Sequence, residues 1–242
     1  MPLDFDAASS EYCTGAVTGL VADTVGTISL WCRPETLNNG SLFFIGDDTG
    51  AFSHFLLRTI NTGKLYAHII YGGPLRSVTT DNVVYAAGDL LHIGFVQDNG
   101  GTISIYINGV AVPNTVSASW ANRWFAYLEG LATLNVLSIG MNRDSTPDLP
   151  FNGIIYDAAY WSTNLSAAQM LRLYAGGRIV SGLPLRMAAA NCKRYWPLLE
   201  NTGATTKDRA SGYDLALTAA PDWISRAGTI AMPAQKRLMG VY

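Results

Sequence analysis

Two segments bracket most of this chain. Leu3-Asp4-Phe5-Asp6 opens it, and Phe151-Asn152-Gly153-Ile154-Ile155-Tyr156-Asp157 follows some 150 residues later. Short alternating segments fill the interval, and one helix-forming stretch, Leu165 to Ala175, comes directly after. A strand that opens a domain and another that closes it before a lone helix is the pattern of an all-β sandwich built from two sheets.

The local patterns agree. Thr27-Ile28-Ser29-Leu30-Trp31-Cys32 alternates small polar with apolar residues and stops at Pro34, which reads as a strand. Ser41 to Ile45 is a short apolar run closed by a Gly- and Asp-rich loop. His54 to Ile60 and Lys64 to Tyr71 flank Asn61-Thr62-Gly63, which is hairpin chemistry. Leu91, Ile93 and Phe95 share one face of the next strand, and Ile103, Ile105 and Ile107 one face of another. Asn108-Gly109 suits a type I′ turn because both residues accept a positive φ, so a return strand is expected from Val110 to Val116. Strand character resumes over Val136 to Gly140 and in a closing strand from Phe151 to Trp161. Ser166 and Gln169 have the spacing of a capping box, and Gly176-Gly177 ends the helix. These elements predict a sandwich over residues 1–176. Residues 177–242 form a C-terminal extension: a linker to about Ala190, strands at Tyr195–Leu199 and Tyr213–Thr218, and an arm from Ala227 to Tyr242.

Composition narrows the partners. The net charge is −2 over 242 residues, so no basic field is available for nucleic acid. No apolar run is long enough for a membrane helix, and Met1 to Asp6 lacks the features of a secretory signal. Only 14% of residues are charged, against about 25% in ordinary soluble domains. Such a surface is either covered by a partner, which points to a homo-oligomer, or coated with uncharged Ser, Thr and Asn. Cys13, Cys32 and Cys192 are odd in number and widely spaced, and are expected to be free thiols.

Taken together, the segments resemble the laminin-G-like, concanavalin A-like jelly-roll superfamily. The resemblance is carried by Leu3-Asp4-Phe5-Asp6, Thr27 to Trp31 with Arg33-Pro34, Leu91-His92-Ile93, Ile105-Tyr106-Ile107-Asn108-Gly109-Val110, Leu137-Ser138-Ile139-Gly140, Phe151 to Ile155 and Leu165 to Met170. It implies a two-sheet antiparallel jelly-roll sandwich with one short helix. Members usually carry an acidic pair after the Gly-x-Ile of the closing strand, and some bind calcium; here Tyr156 replaces the first acid and only Asp157 remains, so the resemblance does not extend to calcium binding. Tyr195-Trp196-Pro197-Leu198-Leu199-Glu200 resembles a segment that precedes the opening strand in many members, yet here it follows the helix. That order resembles jelly-roll proteins encoded among the virion structural genes of tailed bacteriophages. It implies a capsid or tail accessory protein, made in the host cytoplasm and located in the virion, with other virion proteins as partners. A lectin-like module that attaches to cell-surface glycans is the alternative.

Catalysis is not expected. Glycosidases of this architecture often place paired carboxylates on one strand, whereas Glu11, Glu35, Glu129 and Glu200 are isolated. His54, His68 and His92 read as structural residues, and no nucleophile motif accompanies them. No cofactor or metal is expected, since the loops with Asp47-Asp48 and with Asp144 and Asp148 read as ordinary turns. The candidate binding residues are Trp120, Trp124 and Tyr127, in an aromatic insertion between Ser119 and Leu134. They suit stacking on a sugar, anchoring a subunit contact, or packing on their own sandwich.

Overall fold

The computed structural model describes residues 2–50, 53–71, 75–177 and 182–223. In chain order the strands begin with β1 (Leu3–Phe5), β2 (Tyr12–Gly15), β3 (Gly26–Pro34), β4 (Ser41–Gly46), β5 (Ser53–Ile60), β6 (Lys64–Tyr71) and β7 (Arg76–Thr80). Next come β8 (Leu91–Gln97), β9 (Ile103–Ile107), β10 (Val110–Val112), β11 (Asn114–Val116), helix α1 (Phe125–Glu129), β12 (Val136–Ile139) and β13 (Gly153–Trp161). The chain continues through helices α2 (Ala167–Gly177) and α3 (Leu183–Arg186), then β14 (Cys192–Trp196), β15 (Thr205–Thr206), β16 (Leu215–Thr218) and β17 (Asp222–Trp223).

The strands form two antiparallel sheets. The first, of eight strands, runs β10-β9-β8-β3-β13-β1-β17, with β14 also paired to β13; the second runs β11-β7-β6-β5-β4-β12-β2-β16-β15. Alternate residues from each fill one core, including Leu30, Ile93, Phe95 and Ile105 from the first sheet and Phe43, Ile45, Phe55, Leu57 and Leu65 from the second. The opening and closing segments pair with each other, Leu3 opposite Ile155 and Phe5 opposite Gly153.

The strand expected from Val110 to Val116 divides at Pro113. Val110–Val112 pairs with β9 in the first sheet, and Asn114–Val116 pairs with β7 in the second. Proline lacks the amide needed to continue the first ladder, so the chain crosses between sheets there. The turn before it has the predicted backbone, with φ of 53° at Asn108 and 79° at Gly109. The capping box is also formed: Gln169 N donates to Ser166 Oγ at 3.3 Å, and Ser166 N donates to Gln169 Oε1 at 2.8 Å.

Residues 192–223 belong to both sheets, so the boundary expected at residue 176 marks no break in them. β14 pairs with β13, β16 with β2 and β17 with β1. The described part of the expected linker contains α3 and a 3₁₀ turn at Ala189–Asn191. The arm expected over 227–242 lies outside the described residues. No helix among the described residues is long and apolar enough to cross a membrane.

Candidate functional site

Each sheet has one face in the core and one turned outward, and the two outer faces differ. On the first sheet, Val96, Tyr106, Ala159 and Trp161 pack against Leu165, Met170 and Leu173 of the α2 segment and against Leu183 and Met187 beyond it. Gly94 permits this contact, since a Cβ there would lie 2.0 Å from Met170 Cε. That face is covered.

The outer face of the second sheet carries the residues that alternate with the core. On β5 these are His54, Leu56 and Arg58; on β6 they are Tyr66, His68 and Ile70. The register sets Arg58 opposite Tyr66, Leu56 opposite His68 and His54 opposite Ile70. Phe44, Leu56 and Val136 form a small apolar floor with Leu149 packed on it. The loop between β12 and β13 is pinned at this floor. Asn142 and Asp148 exchange backbone bonds of 3.0 and 3.2 Å, and Ser41 N donates to Leu149 O at 2.9 Å.

Two kinds of chemistry sit around the floor. His54 and His68 bring their Nε2 atoms within 2.8 Å, with ring centroids 5.0 Å apart. Burial pushes the His54 imidazole down to about 4, against a smaller opposing effect of Asp144. Burial pushes His68 down to about 3, with His54 and Arg58 adding to the shift. Both rings are therefore neutral at pH 7. The second element is a pair of guanidinium–tyrosine stacks. Arg58 lies 4.8 Å over the Tyr66 ring, and Arg143 lies 5.0 Å over Tyr12 on β2. The Nε atoms of Arg58 and Arg143 are buried and have no hydrogen-bond partner among the described residues. Half-buried tyrosines can stack on a sugar ring, and the terminal nitrogens of the neighbouring guanidinium groups, not the buried Nε atoms, are the donors suited to its oxygens.

The aromatic insertion behaves differently from the binding expectation. Trp120 is 1% exposed and Trp124 is fully buried. The Trp124 ring stacks on Phe125 at 4.6 Å and on Phe95 at 6.1 Å, and its Nε1 donates to Tyr160 Oη at 3.0 Å. Trp120 meets Phe55 edge-on at 6.4 Å. Both indoles fill space between the sheets and present no face to a ligand. This corrects the expectation for Trp120 and Trp124: a run of large aromatics gains more from closing the core than from standing in water. Tyr127 is half-buried beneath the Arg123 guanidinium, 3.8 Å from its ring centroid, and is separated in role from the two tryptophans.

The carboxylates weighed for calcium are engaged by the protein. Asp47 accepts from Thr49 N and Oγ1, Asp48 from Asn135 Nδ2, and Asp144 and Asp148 both from Asn142 Nδ2. Asp157 is buried and accepts from Tyr195 Oη. Two open hollows of about 470 and 290 Å³ lie along the C-terminal segment, one beside Tyr195, Pro197 and Arg209, the other beside Leu217, Pro221 and Trp223. Glu200, the carboxylate of the larger hollow, is taken up by Leu199 N, Thr206 Oγ1 and Lys207 N.

Sequence reasoning passed over His54, Arg58, Tyr66 and His68 as a group. The signal was present: a turn at Asn61-Thr62-Gly63 that pairs Ile60 with Lys64 also sets Arg58 opposite Tyr66 and Leu56 opposite His68. Which face of that hairpin turns outward was the missing knowledge.

Residues 7–170 match the family Laminin_G_3, described as the concanavalin A-like lectin/glucanases superfamily. No curated protein matches the chain. Among solved structures, the CBM40 module of the Ruminococcus gnavus IT-sialidase, bound to α2,3-sialyllactose, is 15% identical with a TM-score of 0.57, over 72% of this chain and 97% of that one. A Bacteroides ovatus protein described as carbohydrate-binding is 15% identical with a TM-score of 0.60, over 93% of this chain and 63% of that one. The native heptameric SAP-like pentraxin of Limulus polyphemus is 13% identical with a TM-score of 0.51, over 71% of this chain and 80% of that one. At these identities the structural likeness speaks for the fold. The family match over residues 7–170, on a two-sheet antiparallel sandwich, shows that this chain belongs to the concanavalin A-like lectin/glucanase superfamily.

Proposed function

We propose that this chain is a non-catalytic carbohydrate-binding domain and that its ligand lies on the outer face of the second sheet, across Tyr66, His68, Arg58 and the neighbouring loop. One observation carries the reading. Helix α2 covers the outer face of the first sheet, while the second sheet turns outward a half-buried tyrosine, a half-buried imidazole and a guanidinium stacked on that tyrosine. The similarity to carbohydrate-binding modules supports the same reading.

The virion role expected from the order of the C-terminal segment gains no support from these relatives. On a virion, a domain of this kind would serve attachment to host glycans, and mass spectrometry of purified particles tests its presence there. Self-association is tested by light scattering.

A glycan array probed with the full chain tests the function, with α2,3- and α2,6-sialyllactose included because the R. gnavus module is bound to these sugars. Retained glycans are then measured by titration calorimetry. Tyr66→Ala is expected to weaken binding roughly tenfold, the equivalent of one lost aromatic stack. Arg58→Lys, which keeps the charge but loses the planar fork, is expected to weaken it as well. An array with no retained glycan, or affinities unchanged in both variants, would overturn the proposal.

A further inference from the structure

Two imidazole nitrogens on adjacent strands converge with nothing between them. His54 Nε2 and His68 Nε2 are 2.8 Å apart, so only one of them carries the proton that the other accepts. The pairing of β5 with β6 fixes both backbones, and the Phe44 ring, 5.2 Å away, packs against His54. Neither Nδ1 has a hydrogen-bond partner among the described residues, so each ring is free to move its proton to that nitrogen and present Nε2 as a lone pair.

We propose that His54 and His68 form a two-nitrogen site for a first-row transition-metal ion of the copper, nickel or zinc kind, with its remaining positions open to water or an incoming ligand. Metal–imidazole bonds of about 2.0–2.1 Å in a tetrahedral site separate two nitrogens by about 3.3 Å. The rings need to part by only about half an ångström from their present contact. The ion takes the place of the shared proton, which moves to Nδ1 of the ring that carried it, so both imidazoles bind as neutral ligands and no net proton is released.

The surroundings set the selectivity and limit the strength. Among the described residues no group of three or more His, Cys, Asp and Glu converges, so the protein supplies two ligands. Asp144 acts on His54 as a favourable charge, Arg58 acts on His68 as an unfavourable one, and Asp148 offsets Arg58. Without outer partners for the two Nδ1–H groups, affinity is moderate. Imidazole ligands favour Cu²⁺ above Ni²⁺ and Zn²⁺, whereas Ca²⁺ and Mg²⁺ seek oxygen. The site stands independently of the glycan reading, since the ion alone is the probe.

Thermal melting of the full chain with each metal chloride tests it, in a Cys192→Ser background to remove a half-buried thiol that competes for soft ions. At about a hundredfold excess over Kd, Cu²⁺ is expected to raise Tm by about 5 °C or more. Ni²⁺ and Zn²⁺ should raise it at higher concentrations, and Ca²⁺ and Mg²⁺ not at all. His54→Gln and His68→Gln should each abolish the rise. Absence of a rise with all three ions, an equal rise with Ca²⁺, or a rise that survives either substitution would overturn the proposal. Should the glutamine variants not fold, electron paramagnetic resonance of the Cu²⁺-loaded chain decides: two nitrogen ligands are expected, and one or none overturns the assignment.

Discussion

Tyr195 Oη donates a 2.5 Å hydrogen bond to Asp157 Oδ1, joining the C-terminal strand to the midpoint of the closing strand. Asp157 sits at a break in register between Tyr156 and Ala159, with φ of 55°. The bulge divides one edge of β13 between two partners: β1 pairs with Gly153–Ile155, and β14 pairs with Ala158–Trp161. Asparagine and aspartate tolerate this left-handed backbone better than other non-glycine residues.

That position predicts a pH effect. Burial pushes the Asp157 carboxyl up to about 6, against the opposing hydrogen bond from Tyr195. The folded state therefore holds the proton more tightly than the unfolded chain. Its contribution is complete below the unfolded pKa and is lost as pH rises through 6. Asp157→Asn keeps the acceptor and the backbone geometry without the charge. It is expected to melt like the parent near pH 4 and to be more stable at pH 8, by up to about 3 kcal/mol. Paired melting curves at the two pH values check this; a gain as large at pH 4 as at pH 8 would count against it.

The histidine pair predicts the opposite slope. His54 and His68 are held down to about 4 and about 3, so the unfolded chain binds protons more readily than the fold. Their contribution is present above pH 6.5 and is lost as pH falls toward 4. His54→Gln is expected to reduce the loss of stability between pH 6.5 and 4 relative to the parent chain. Denaturant midpoints measured across that interval test the sign, and an unchanged slope would refute it.

Trp124 tests the corrected role of the aromatic insertion. Trp124→Ala opens a cavity among Phe95, Phe125 and Tyr160 and is expected to cost about 3–5 kcal/mol. Trp124→Phe keeps the ring contact but loses the bond to Tyr160 Oη, which itself donates to Asp23 at 2.9 Å, so a cost of about 1 kcal/mol is expected. Denaturant unfolding gives both values. Glycan affinity of the folded Trp124→Phe variant should equal that of the parent; a large selective loss would return the residue to the binding site.

The C-terminal strands predict an outcome for truncation. A chain ending at Asn191 lacks β14, β16 and β17, and so the partners of β13, β2 and β1. It also loses Trp196 and Leu198 from the core and the buried Arg194, which bonds Thr18 O and Ser211 Oγ and pairs with Asp208. Exposed edges and a breached core should leave it insoluble or unfolded. A soluble product with a cooperative melt and native circular dichroism would contradict this.

Features that depend on neighbours along the chain were legible in the sequence. The Asn108-Gly109 turn, the hairpin at Asn61-Thr62-Gly63, the box between Ser166 and Gln169 and the alternation of β3, β8 and β9 each follow from φ preferences, capping or a period of two, and all are observed. Position in the assembled sandwich was not legible. The same aromatic run from Trp120 to Tyr127 reads equally as platform or plug, and only the gap between the sheets makes plugs of the two tryptophans. His54 and His68 lie 14 residues apart, and their meeting on an outward face depends on β4, β12 and the loop carrying Asn142 and Leu149 closing the floor beside them. Periodicity assigns residues to one side of a strand or the other; which side faces water is decided by what packs on the sheet, and those contacts come from distant parts of the chain.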